Sequence, residues 1–119
     1  MKNIPNGYKD KYPFDKLKKE ASRIMIKYPD RIPVVVEKNP YNDIPQIDSN
    51  KFLVPMDLTF GQFIHVIRKR IKISDEQALF LFINNTLPSC SQLMSQIYAE
   101  HKDPTGYLFM VYSGEATFG

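Results

Sequence analysis

The sequence predicts an α+β fold, a mixed four-stranded sheet with two helices ahead of it. Three observations predict it. Four short runs rich in β-branched and aromatic residues, too brief for helices, are spread over residues 32–113. Longer segments carry apolar residues at steps of three and four, the spacing of a helix that buries one stripe. Proline, glycine and paired asparagines punctuate the gaps. The chain has 119 residues, 43% hydrophobic and 24% charged. That is one ordinary domain, able to build a core without metal or disulfide staples.

Residues 8–12 are short, charged and stopped by Pro13, with room for one helical turn or two. The next helix follows from Phe14, Leu17, Ala21, Ile24 and Tyr28, with Pro29 ending it. Residues 32–36 (Ile-Pro-Val-Val-Val) form the first strand. Pro33 cannot donate to a ladder, so it belongs near the strand's start or where the ladder is open. Residues 38–50 read as a long loop. Residues 51–54 are a second strand, ended by Pro55.

Thr59 with Gln62 three residues on is a capping-box pattern. Behind it Phe60, Phe63, Ile64, Ile67 and Ile71 make a helical stripe over 60–71, closed by Arg68, Lys69 and Arg70, where cations suit the helix dipole. Residues 79–83 are a buried third strand and Asn84-Asn85 a turn. Leu93, Met94, Ile97, Tyr98 and His101 fit a further helix that Ser89 or Ser91 could cap. Asp103-Pro104-Thr105-Gly106 is a β-turn pattern, residues 107–113 a fourth strand, and 114–119 an extended tail. From residue 32 the order is ββαβαβ, which suggests a ubiquitin-like β-grasp. The expected division is a helical extension over 1–30 and a core with a glycine-ended tail over 31–119.

The net charge of +3 is uneven. Residues 1–31 hold nine Lys/Arg against four acids, a net of +5, and the remaining 88 residues carry −2. A basic segment of this kind suits an anionic membrane, an acidic protein or nucleic acid, or is a solvated helix face. The longest apolar run, 78–83, is far short of the roughly 20 residues that span a bilayer. The first seven residues lack the apolar core of a secretion signal, so the expected compartment is the reducing cytoplasm. Cys90 is the single cysteine, which excludes an internal disulfide and a cysteine-rich zinc site.

No catalytic constellation stands out. His65 falls off the helical stripe and reads as a surface residue. His101 lies near a helix end, and neither histidine has a metal-spaced partner. Cys90 follows Leu87-Pro88-Ser89 in a turn with no local base to activate it. The glycines are isolated, so no loop is built to cradle phosphates. Gly61, inside a helix, costs about 1 kcal/mol against alanine and points to close packing there. The expectation is no catalytic residue, no metal and no cofactor. A nucleic-acid binder using the basic N-terminus with Arg68-Lys69-Arg70 would show salt-dependent retention, and a hydrolase using Cys90 with His101 is the remaining enzyme reading.

Longer blocks are more specific. Residues 27–38 (KYPDRIPVVVEK), 51–55 (KFLVP), 58–63 (LTFGQF), 67–71 (IRKRI), 79–85 (LFLFINN) and 110–115 (MVYSGE) resemble, in the same order, the signature blocks of the autophagy ubiquitin-like modifiers. The resemblance runs from about Tyr8 to Gly119 and is closest to the GABA-receptor-associated-protein branch. It implies conjugation of the C-terminal glycine, here Gly119, to the amine of phosphatidylethanolamine, in autophagosome formation and cargo recruitment. A glycine has no Cβ to clash in narrow enzyme sites. The implied partners are activating and conjugating enzymes, a deconjugating cysteine protease, and receptors with aromatic-x-x-aliphatic motifs. The implied protein is a monomer before conjugation, without nucleic-acid partners, cytoplasmic until lipidation carries it to the autophagosome or another organelle membrane. A ubiquitin-like module that binds peptides without being conjugated is the alternative.

The resemblance also implies a peptide groove, by strand addition along residues 51–54. Its aromatic pocket would comprise Glu20, Ile24, Pro33, Val35, Lys51, Leu53 and Tyr107. Its aliphatic pocket would comprise Phe52, Val54, Pro55, Leu58, Phe63 and Val66. Arg31 and Arg70 would meet acidic residues flanking the peptide, with Arg70 free to face the groove. The chain departs from its relatives in three places. It stops at Gly119, either made ready for conjugation or cut there, whereas most relatives carry further residues. Ser49 stands where close relatives have a lysine, and the N-terminus is about three residues longer.

Overall fold

The structure is a computed structural model and describes residues 7–116. Its elements are α1 (Tyr8–Lys11), α2 (Phe14–Lys27), β1 (Arg31–Lys38), β2 (Lys51–Pro55), α3 (Phe60–Ile71), β3 (Phe80–Phe82), α4 (Met94–His101) and β4 (Leu108–Ser113). They form one mixed sheet in the order β2-β1-β4-β3. β1 is antiparallel to β2 and parallel to β4, and β3 is antiparallel to β4. The predicted α+β architecture with a mixed four-stranded sheet is the one observed.

β1 explains its own sequence. Ile32, Val34, Val35 and Val36 are fully buried. A strand covered on both faces reads as a continuous apolar run rather than an alternating one. It extends past the predicted 32–36 because its far end pairs with β4 as far as Lys38 and Tyr112. Pro33 is tolerated because the β4 ladder starts one residue later, at Val34 and Leu108.

Two cores lie on opposite sides of the sheet. The larger gathers Ile32, Val34 and Val36 with Phe60, Phe63, Ile67 and Ile71 of α3, and Met94 and Ile97 of α4. The smaller packs Val35 and Tyr107 under Leu17 and Ala21 of α2, with Tyr8, Tyr12, Ile24 and Phe109 around them. Phe14 and Tyr28, the ends of the predicted α2 stripe, are exposed. Only the helix's central turns lie over Val35 and Tyr107.

α3 carries the predicted capping box. Thr59 Oγ1 accepts the Gln62 N–H at 3.1 Å, and Gln62 Oε1 accepts the Thr59 N–H at 2.9 Å. A Cβ on Gly61 would come 3.1 Å from Cys90 Cβ, and the Gly61 N–H donates to the Cys90 carbonyl at 3.0 Å. The close packing inferred for this glycine is therefore against the turn before α4.

Two expectations fail. Neither Ser89 nor Ser91 caps α4, whose N-cap is Leu93. The helix's first free N–H groups find backbone acceptors instead: Met94 donates to the Leu58 carbonyl at 2.8 Å and Ser95 to the Met56 carbonyl at 3.0 Å. The predicted loop is also not merely a linker. Ile44 and Ile47 are 4% exposed and belong to the main core. The Tyr112 hydroxyl fixes them, accepting the Ile47 N–H at 2.7 Å and donating to the Pro45 carbonyl at 2.8 Å.

Thr59→Ala removes the side-chain acceptor at the N-cap of α3 and is expected to cost about 1 kcal/mol. Urea denaturation should show a lower midpoint with an unchanged slope.

Candidate functional site

β2 is an edge strand, and its side chains alternate between the two faces of the sheet. Phe52 and Val54 turn toward α3, where Phe52 meets Phe63 edge-on with ring centres 5.8 Å apart. Lys51, Leu53 and Pro55 alternate with them. Leu53 stands opposite Pro33, and Lys51 opposite Val35, in the β1 register.

On the α2 side the polar residues converge. Lys51 Nζ lies 2.7 Å from Glu20 Oε1, and the Tyr107 hydroxyl donates to the same oxygen at 2.8 Å. The Lys51 ammonium also sits 5.5 Å from the centre of the Tyr8 ring. The hydrogen bond from Lys51 holds the Glu20 carboxyl below its ordinary pKa, against partial burial, with help from Tyr107. Partial burial works against the Lys51 charge, but hydrogen bonds to Glu20 and Tyr8 outweigh it and hold the ammonium above the usual lysine range. Burial, reinforced by the Glu20 contact, pushes the Tyr107 phenol well above its ordinary value. Of the residues assigned to the aromatic pocket, Pro33, Val35 and Tyr107 are buried, Glu20 and Ile24 half-buried, and Lys51 and Leu53 exposed.

On the α3 side Val54 and Phe63 are buried, Phe52 and Leu58 half-buried, and Pro55 and Val66 exposed. Arg31 is exposed, and its side chain has no polar partner among the described residues. Arg70 differs from its expectation. It lies off the α3 stripe but is not free: Nη2 is 3.1 Å from Asp48 Oδ1, and its guanidinium carbon is 5.4 Å from the centre of the Phe52 ring. Asp48, beside Arg70, and Tyr8, beside Lys51, are the neighbours of the predicted site residues that pattern reading missed. A lone acid in a polar loop and a tyrosine in a four-residue helix carry no periodic signal. Gly119 lies outside the described residues.

The residues weighed for catalysis stay apart. His65 and Cys90 are exposed. His101 is engaged by Asn84 at 3.1 Å and Glu100 at 3.6 Å, not by Cys90. Arg68 donates to the carbonyls of Ser74 and Gln77. Among the described residues no cluster of His, Cys, Asp and Glu could hold a metal, and no helix is long and apolar enough to cross a membrane.

A family sequence profile described as "Autophagy protein Atg8 ubiquitin like" matches residues 16–119. The chain belongs to the Atg8 family. It is 54% identical over 116 residues to Autophagy-related protein 8 of Candida glabrata, covering 98% of each chain. It is 58% identical over 112 residues to Autophagy-related protein 8 of Emericella nidulans, covering 94% of this chain and 95% of that one. A crystal structure of Trypanosoma brucei ATG8 superposes with a TM-score of 0.89 at 44% identity, covering 98% of this chain and all of the other. As an Atg8-family member the chain is a ubiquitin-like autophagy modifier. The Atg8 match starts inside α2, so it takes in the whole sheet with α3 and α4 and leaves α1 outside.

The Glu20 carboxylate has a depressed pKa in the folded protein, so its stabilising effect is complete above the ordinary value of 4.5 and is lost as the pH falls through the lower folded value. Glu20→Gln should therefore be less stable than the parent at pH 7, with the gap closing below about pH 4.5. Urea midpoints across a pH series measure it.

Proposed function

We propose that this modifier is joined through Gly119 to the amine of phosphatidylethanolamine, and that the membrane-held protein recruits receptors by adding an aromatic-x-x-aliphatic segment to the free edge of β2. The observation that carries the reading is an edge strand with two apolar sets on its opposite faces. Leu53 is 38% exposed on the face of β2 that also carries Lys51, and Val66 of α3, the helix that Phe52 and Val54 turn toward, is 39% exposed. A strand laid along β2 would point alternate side chains to opposite faces.

The conjugation chemistry belongs to partner enzymes. The Gly119 carboxylate is adenylated by ATP with loss of pyrophosphate. An enzyme cysteine displaces AMP to form a thioester, and the lipid amine then displaces the thiol to form an amide. The two acyl chains hold the product on a bilayer, at about 0.8 kcal/mol for each buried CH₂. A cysteine protease would reverse the attachment by hydrolysing that amide. In this reading the unconjugated chain is a cytoplasmic monomer, and the conjugate sits on the autophagosome membrane.

Gly119→Ala, or deletion of Gly119, should abolish the faster-migrating lipidated band in a reaction supplied with activating and conjugating enzymes, ATP and phosphatidylethanolamine vesicles. Membrane attachment of either variant would refute the assignment. Leu53→Ala should weaken an aromatic-x-x-aliphatic peptide by roughly thirtyfold, the usual loss at an interface anchor of about 2 kcal/mol. Because Leu53 is half-exposed, the melting temperature should hardly move. Calorimetric titration decides it, and an unchanged affinity would sink the groove.

A further inference from the structure

Arg70 is held in place by the chain itself. Its Nη2 and Nε lie 3.1 and 3.3 Å from Asp48 Oδ1. Its guanidinium carbon lies over the Phe52 ring, 5.4 Å from its centre, and Phe52 in turn meets Phe63 edge-on. Asp48 comes from the loop that leads into the edge strand, three residues before Lys51. The guanidinium nearest the α3 side of the groove already has an acidic partner.

We propose that Asp48 is a built-in competitor for Arg70, which sets how much negative charge a peptide's flank must bring to be favoured. The proposal rests on the groove reading above. Three features support it. First, a single carboxylate oxygen of Asp48 takes both contacts, a weaker grip than the fork of two parallel bonds that an arginine can offer a carboxylate. Second, the Arg70 and Asp48 side chains are 43% and 65% exposed, so exchanging one acid for another desolvates little and an incoming acid can displace the resident one. Third, the other cations of the groove are not regulated in this way. Lys51 is committed to Glu20, and Arg31 has no polar partner among the described residues. An acidic flank near Arg31 gains a free cation, whereas one near Arg70 must first displace Asp48. A neutral flank exchanges nothing and is indifferent to Asp48.

The test uses two aromatic-x-x-aliphatic peptides that differ only in their flanks, one acidic and one with serine and glutamine. Calorimetric titration is run on the unaltered chain, Asp48→Asn, Arg70→Gln and the double variant, at low and high salt. Asp48→Asn should tighten the acidic peptide by about two- to fivefold, the scale of an exposed ion pair. It should leave the neutral peptide unchanged. The gain should vanish in the Arg70→Gln background and shrink at high salt, where exposed charges are screened. An equal gain with and without Arg70 would reduce Asp48 to a general charge effect and overturn the proposal. So would no change, or weaker acidic binding, which would mean that Asp48 holds Arg70 ready for the peptide. Failure of the groove reading looks different: neither peptide would bind the unaltered chain, and this proposal would fall with it.

Discussion

At Val34 and Val35, β1 has a strand on each side, and over residues 32–36 it feeds a core on each face. Ile32, Val34 and Val36 point into the α3 core and Val35 into the α2 core. Fully burying one such side chain is worth about 1.5–3 kcal/mol, so this single strand anchors both halves of the molecule. Its two neighbours follow from topology. The antiparallel partner β2 comes next in sequence, across a loop pinned by Tyr112. The parallel partner β4 can be reached only by a long crossover, and α3, β3 and α4 occupy that crossover. Because β1 takes both central contacts, β2 is left as an edge. An edge is ordinarily a liability, since its backbone can pair with another chain. Under the proposed function that liability becomes the binding site.

The edge strand also separates two kinds of electrostatics. On the α2 face, Glu20, Lys51 and Tyr107 meet beside a packed layer that includes Tyr8, Ile24 and Val35, where partial exclusion of water strengthens each contact. The shifts of Glu20 and Lys51 in opposite directions express one fact: each charge is favoured by the other. On the α3 face, Asp48 and Arg70 pair in the open, where salt screens the attraction and exchange is easy. One face is built to stay as it is. On the proposed reading, the other changes partners.

What was legible in the sequence was local. The steps of three and four in α2 and α3, the capping box at Thr59, the β-turn before β4 and the short β-branched runs each report backbone geometry over a few residues. A strand at 51–54 was legible too, and its edge position through the blocks shared with a known family. Boundaries were less so. β1 ran longer than predicted because pairing with β4 extends it, and β3 is shorter because only three of its residues find partners on β4.

The sequence by itself determined which segments are helix and which are strand, and that their order suits a β-grasp, because periodicity and turn chemistry are properties of neighbouring residues. Only the tertiary structure decided which apolar residues are core. Ile44 and Ile47 sit in a polar loop and are buried, while Phe14 and Tyr28 sit on a helical stripe and are exposed. The same holds for charge. Nothing within a few residues of Arg70 marks Asp48 as its partner, since 22 positions separate them. The α4 start likewise took carbonyls of Leu58 and Met56 in place of a serine. Burial, ion pairing and the satisfaction of helix ends depend on which distant atoms arrive at the same place, and that is settled when the two cores close on β1.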